Sequence, residues 1–214
     1  MLWGMAFTLQ GSLLDLGDEM ALGDLAAGLT RQTLSAGAWV DVRPGWLAGG
    51  DALVEALLHD VPWRAERRQM YDSVVDVPRL LSFYGEGERL PHPLLVTARE
   101  ALSDHYEPEL GERFVSAGLC LYRDGRDSVA WHGDRIGRST SEDTMVAILS
   151  VGSPRPLVLR PRDGGAATGR LPLGHGDLVV MGGSCQRTWD HAIPKTAKDV
   201  GPRISIQYRV RGVR

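Results

Sequence analysis

His132 and Asp134 stand two residues apart in DSVAWHGDR, residues 127–135, just after a short apolar run. An imidazole nitrogen and a carboxylate oxygen are both metal donors. In extended chain, residues i and i+2 project to the same side, so the two groups can meet at one point. An H-x-D pair is common by chance, and a salt-bridged turn would use the same residues. A third donor stands downstream in QRTWDHAIPK, where His191 lies between the apolar Trp189 and Ile193. Two histidines and one carboxylate leave positions open on a metal. That donor set suits non-haem Fe(II) and oxygen chemistry.

The last strand-like segment, RISIQYR, adds charge. Period-2 alternation puts Arg203, Ser205, Gln207 and Arg209 on one face and Ile204, Ile206 and Tyr208 on the other. If the apolar face packs, both arginines look into one cavity. Buried cations need anions, and a planar guanidinium is the bidentate partner of a carboxylate. Two such forks on one strand could hold a dicarboxylate at both ends. An exposed strand with solvated arginines is the competing reading.

The elements that would position these residues fall into two parts. Residues 1–38 are Gly-rich and acidic with weak periodicity, which predicts a loosely ordered arm with short helical turns. AWVDVR predicts a strand ending at Pro44. DALVEALLHD predicts a short helix with Asp51 as N-cap and Pro62 as terminator. PHPLLVTAREALSDHYEPEL predicts a second helix, with Leu94, Leu95, Ala98, Ala101 and Leu102 at helical spacing and Pro108 just beyond its end. After about residue 113, short apolar runs alternate with Gly, Pro and Asp turns, the pattern of a β-sandwich or barrel.

The bulk numbers fit one domain. The chain has 214 residues, 43% of them hydrophobic, enough for a single sizeable core. The net charge of -3 advertises no global affinity for nucleic acid. Residues 1–60 are acidic, with Arg31 and Arg43 as their only basic residues, so a mildly basic face is left to the C-terminal part. Cys120 and Cys185 form neither a metal-type spacing nor a disulfide framework, which predicts a reducing cytoplasm. No apolar stretch reaches the length of a membrane span, so no membrane partner is expected.

LCLYRDGRDSVAWHGDR, ILSVGSPRPLVLRPR, LPLGHGDLVVMGGSCQRTWDHAIPK and GPRISIQYR occur in this order. Together they resemble the AlkB family of Fe(II)- and 2-oxoglutarate-dependent dioxygenases. The resemblance spans roughly residues 62–212 and is dense over 115–212. It implies an α+β fold: a double-stranded β-helix, or jelly roll, with N-terminal helices and a nucleotide-recognition lid. The dioxygenase domain would run over 39–214, with the lid at about 62–92 and the jelly-roll core at about 113–212. His132, Asp134 and His191 match the iron ligands. Arg203 and Tyr122 match the residues that hold the distal carboxylate of 2-oxoglutarate. Arg209 matches a second arginine near the carboxylate closer to the metal. Ser205, also in the cosubstrate site, and Cys120 depart from the family, which usually has asparagine at both places. Ile136 stands where some members carry an acidic residue that contributes to base selection.

The resemblance also implies the reaction. With Fe(II), 2-oxoglutarate and O2, an N-alkylated base in nucleic acid is demethylated, releasing succinate, CO2 and formaldehyde. DNA is favoured over RNA, and a monomer is expected. The same chemistry on RNA, protein or a small molecule, and a jelly-roll module without catalysis, are the alternatives. Within the lid-like PWRAERRQMYDSVVDVPRLLSFYGEG, Met70, Tyr71 and Tyr84 are candidates to line the pocket of an unstacked base. Arg135, and Arg138 beside it, are candidates for phosphate contact. Trp131 and Trp189 are expected to pack beneath the site, and Cys185 in the core.

Overall fold

A computed structural model describes residues 19–70, 73–164 and 169–213, with residues 67–70 and 73–76 described by their backbone alone. Among the described residues, fourteen strands and three α-helices follow one another, with two short 3-10 turns. β1 (Ala21–Leu22), β2 (Thr30–Thr33), β3 (Ala38–Arg43) and β4 (Leu47–Ala48) lead to helix α1 (Asp51–Asp60). A long hairpin, β5 (Arg64–Met70) and β6 (Ser73–Tyr84), precedes helix α2 (Pro93–Leu110). Then come β7 (Phe114–Tyr122), β8 (Val129–His132), β9 (Val146–Gly152), β10 (Arg155–Pro161), β11 (Gly169–Leu173) and β12 (Asp177–Gly183). The one-turn α3 (Cys185–Thr188) leads into β13 (Trp189–Ile193), and β14 (Arg203–Val210) closes the fold.

Two antiparallel sheets face each other. The larger has the order β2-β3-β12-β9-β14-β7-β6-β5, and the smaller has the order β11-β10-β13-β8. This is the two-sheet jelly-roll arrangement, mostly β with few helices. β9 and β14 sit in the middle of the large sheet, and β9 is buried along its whole length. A strand covered on both faces needs apolar residues at nearly every position, and VAILSVG supplies them. Helices α1 and α2 cover the outer face of the large sheet. Leu53, Val54 and Leu57 of α1 and Leu95, Ala98 and Leu102 of α2 are buried there. The Tyr208 hydroxyl of β14 donates to the Leu95 carbonyl of α2 at 3.1 Å, tying that face to the helix. The opposite face of the large sheet is left for the cleft. No helix among the described residues is long and apolar enough to cross a membrane.

The strand boundaries after residue 113 follow the sequence pattern closely; FVSAGLCLY is β7 from end to end. The N-terminal part differs. Residues 1–18 lie outside the described residues. Within 19–38 the chain forms no helical turns beyond a 3-10 turn at Ser35–Gly37; it forms β1 and β2. β2 pairs with β3 and extends the large sheet, so it is a sheet edge rather than a loose arm. A bidentate Arg31–Asp41 pair and a second from Arg31 to Glu109 on α2 secure it. The helices also do not precede the β structure; they alternate with strands. Helix α1 is capped by Gly50, with Asp51 as its first residue. A Cβ at position 50 would lie 2.4 Å from His175 Nε2, so a larger residue there would have to push that ring aside. Helix α2 runs through Pro108 to Leu110 and stops at Gly111, whose φ of 76° is left-handed. His92 is its N-cap, its ring accepting from the Leu94 N–H at 3.2 Å.

Candidate active site

The two histidines meet because β8 and β13 are neighbours. His132 and His191 are cross-strand partners, and their ring centroids are 4.3 Å apart. The His132 Nδ1 lies 2.8 Å from the Ala130 carbonyl. A carbonyl only accepts, so Nδ1 carries the proton and Nε2 keeps its lone pair. Asp134 follows just beyond the end of β8. Its backbone N–H donates to Gln186 Oε1 at 2.9 Å, and the Ser139 hydroxyl donates to its carbonyl. One donor atom each from His132, Asp134 and His191 lie within 4.8 Å of one another.

Arg209 orients the carboxylate. Its Nε and Nη2 both donate to Asp134 Oδ2, at 3.0 and 2.7 Å. Oδ1 is left facing the histidines, 3.7 Å from His132 Nε2. Burial alone would raise the Asp134 pKa, but the Arg209 guanidinium and the two imidazoles hold it well below the usual carboxylate range. Burial, and then the neighbouring His132, push His191 down to about 3. At neutral pH the cluster is therefore a carboxylate with a neutral imidazole at His191, the protonation state a metal ligand needs.

The other end of the site lies along β14 and β7. Arg203 pairs across the strands with Tyr122, and Ser205 with Cys120. Arg203 is 1% exposed. Its Nε donates to Ser150 Oγ at 2.9 Å, while its Nη1 is buried without a hydrogen-bond partner. Leaving a buried guanidinium nitrogen unpaired costs several kcal/mol on the order of the charged-group penalty. A bound carboxylate would remove that cost, and the Tyr122 ring lies 5.3 Å from the guanidinium carbon. Burial raises the Tyr122 hydroxyl to about 12, so it stays a proton donor. The residues present therefore fit both a divalent metal and a dicarboxylate. Ser205 is buried beside them, with Gln207 Nε2 3.4 Å from its hydroxyl.

These groups line one cleft of about 1040 Å³. The register places Leu81 opposite Cys120 and Phe83 opposite Gly118. Arg79, Leu81 and Phe83 thus share the cleft face of β6. Tyr84, at the cleft's edge, falls on the alternate face with Leu80 and packs against the core. Phe83, 49% exposed, is the ring on the cleft face of β6, and Ile136, 61% exposed, also lines the cleft. Arg135 also lines the cleft, 3.7 Å from Asp190. Arg138 does not; Glu112 and Glu142 hold it. Met70 ends β5, where only the backbone is described, and Tyr71 lies outside the described residues. Trp189 is buried, its indole N–H donating to the Ser35 carbonyl at 3.3 Å. Trp131 instead faces outward, with Arg160 stacked 4.4 Å above its ring.

Several supporting residues escaped the sequence reading. Gln186 and Ser150 reach the site from elements distant in sequence, and nothing local marks them. Arg155 is fully enclosed and donates to the carbonyls of Asp124, Asp127 and Pro194, fixing the loop after Tyr122. Phe83 was legible in principle, since strand alternation from Arg79 leads to it.

Comparison with known proteins agrees with this geometry. Residues 51–210 match the 2OG-Fe(II) oxygenase superfamily. The chain is 32% identical over 207 residues to the bovine alpha-ketoglutarate-dependent dioxygenase alkB homolog 3, covering 85% of this chain and 66% of the relative. The human alkB homolog 3 gives the same figures, 32% over 207 residues. The DNA oxidative demethylase ALKBH2 of Arabidopsis thaliana is 35% identical over 136 residues, 52% of this chain and 42% of the relative. The chain thus spans about two thirds or less of the length of these relatives. Among solved structures, OsALKBH1 superposes with a TM-score of 0.57 at 13% identity, over 83% of this chain and 100% of the other. A 2OG-Fe(II) oxygenase family oxidoreductase from Burkholderia pseudomallei gives 0.54 at 13% identity, over 86% and 85%. At that identity the superpositions speak for the fold. The matched span and the sequence relatives speak for descent: this chain belongs to the AlkB family of the 2OG-Fe(II) oxygenase superfamily.

Proposed function

We propose that the chain is an oxidative demethylase of N-alkylated bases in nucleic acid, with DNA preferred over RNA. His132, Asp134 and His191 would hold Fe(II), and Arg203 with Tyr122 and Ser205 would hold 2-oxoglutarate. The observation that carries the oxygenase reading is the buried Arg203 with its unpartnered Nη1, in the same cleft as the two-histidine, one-carboxylate cluster. Support for the nucleic-acid substrate comes from the ALKBH2 relative, which is named a DNA oxidative demethylase. When bound, iron and 2-oxoglutarate supply oxidation of the N-methyl group by O2, with succinate and CO2 formed and the hydroxymethyl product losing formaldehyde.

The protein's own residues do the rest. His132 presents Nε2 because Ala130 holds its other nitrogen. Asp134 presents Oδ1 because Arg209 holds Oδ2. Arg203 would neutralise a carboxylate bound deep in the cleft, where low dielectric strengthens the attraction. Phe83 offers a flat apolar face at the mouth, suited to a base taken out of its stack. Arg64, Arg79 and Arg135 line the same cleft and suit the phosphates on either side of that base.

The test is coupled release of succinate and formaldehyde from a methylated single-stranded DNA oligonucleotide, with Fe(II), ascorbate and 2-oxoglutarate, beside a His132→Ala control. Both products, absent in the control, are expected. Succinate without formaldehyde would keep the oxygenase and remove the substrate assignment. Neither product from folded, metal-loaded protein would overturn the whole reading in favour of a binding module.

A further inference from the structure

Gln207 stands between the two arginines on the cleft face of β14, and its amide is engaged at both ends. Its Oε1 accepts from Arg209 Nη2 at 2.5 Å. The same Nη2 donates to Asp134 Oδ2 at 2.7 Å. A guanidinium only donates, so the amide oxygen must be the atom that faces Arg209, which fixes the orientation of the amide. Nε2 then points the other way, 3.4 Å from Ser205 Oγ and 3.6 Å from Cys120 Sγ. Among side chains of this length, only an amide accepts at one end and donates at the other. Glutamate would offer acceptors alone, and lysine donors alone.

The other flank of the guanidinium is closed by backbone. A Cβ on Gly118 would lie 2.9 Å from Arg209 Nη1. Arg209 thus passes close to the bare backbone of β7, with its Nη2 shared between Asp134 and the Gln207 amide.

We infer that Gln207 is a positioning residue for the metal site, acting through Arg209. Its carbonyl fixes the guanidinium against Asp134 Oδ2, and so turns Oδ1 toward the histidines. The inference rests on the reading of His132, Asp134 and His191 as metal ligands. It concerns a residue that touches neither the metal nor a histidine, so its effect must disappear when Arg209 is removed.

The experiment is Mn(II) binding to the full chain without 2-oxoglutarate, read from the electron paramagnetic resonance of free Mn(II). Wild type, Gln207→Leu, Arg209→Leu and the double variant form a cycle. Gln207→Leu is expected to raise the Mn(II) Kd about tenfold, or ~1.4 kcal/mol. The double variant is expected to bind no more weakly than Arg209→Leu alone. If Gln207→Leu does not fold, Gln207→Met keeps the length without the carbonyl and carries the same expectation. A Kd unchanged from wild type overturns the inference, and so does a full additional loss in the Arg209→Leu background. If wild type itself binds no Mn(II), the metal reading fails first.

Discussion

β14 and β6 are strands of one sheet, separated only by β7, and both turn one face to the same cleft. Their polar residues live under different rules. On β14, Arg203 and Arg209 are buried; Ser150 takes Arg203 Nε, Asp134 takes Arg209 Nε and Nη2, and Arg203 Nη1 is left buried without a partner. On β6 the cleft face runs from Arg79, whose buried Nε is also without a partner, out to Phe83, half in water, where no such demand exists. Arg203, on the inner wall and 1% exposed, is more deeply buried than Arg79, so a carboxylate bound there would remove the larger cost. The outer wall can recognise a substrate and still look like ordinary surface. In the proposed function, β14 serves the cosubstrate and the carboxylate ligand, and β6 serves the substrate.

Variants at the metal would test that division most severely. His132→Ala should lower coupled succinate and formaldehyde release by at least ~100-fold, more than loss of a supporting residue costs. Its thermal midpoint should stay close to wild type, since the ring is partly exposed; unfolding would show that the inner wall is structural first. Arg203→Ala comes next. The KM for 2-oxoglutarate should rise about 100-fold from the loss of a charge-assisted pair, while the Mn(II) Kd changes far less. Equal losses of both would merge the two ends that the structure keeps apart.

Acid should weaken the inner wall. His191 is held down at about 3, whereas an unfolded histidine titrates near 6.5. Between those values the unfolded chain binds the extra proton, so stability is full above about 6.5 and is lost as the pH falls. Asp134, also depressed, adds a loss of the same sign once the pH drops through the range where an unfolded carboxyl takes its proton. The loss from His191 should approach but not exceed ~1.4 kcal/mol per pH unit, read from urea midpoints of metal-free protein between pH 7.5 and 5. A flat profile would show that the imidazole is not neutral by burial. The smallest effect on the fold belongs to the rim. Phe83→Ala should weaken binding of a methylated oligonucleotide roughly tenfold, the scale of one base–aromatic stack, with the 2-oxoglutarate KM and thermal midpoint unmoved. No change in oligonucleotide affinity would move recognition to another part of the mouth.

Sequence by itself determined the chemistry-bearing strands. The alternation of RISIQYR, the H-x-D at the end of VAWH and the histidine of WDHAI each specify a face, because a strand side chain has only two directions and the apolar ones take the core. For that reason the cluster and both arginines were visible before any fold was in view. The tertiary structure alone decided the pairings across distance. That β8 lies beside β13, so that His132 faces His191, is a matter of strand order. That Arg209 reaches Asp134, 75 residues away in sequence, is likewise decided by the fold. The N-terminal segment shows the same limit: β2 joins the sheet through Arg31, Asp41 and Glu109, partners that its own weak periodicity does not encode. On β6, Tyr84 and Phe83 are adjacent and both border the cleft; only the pairing with Gly118 puts Phe83 on the face shared with Arg79 and Leu81.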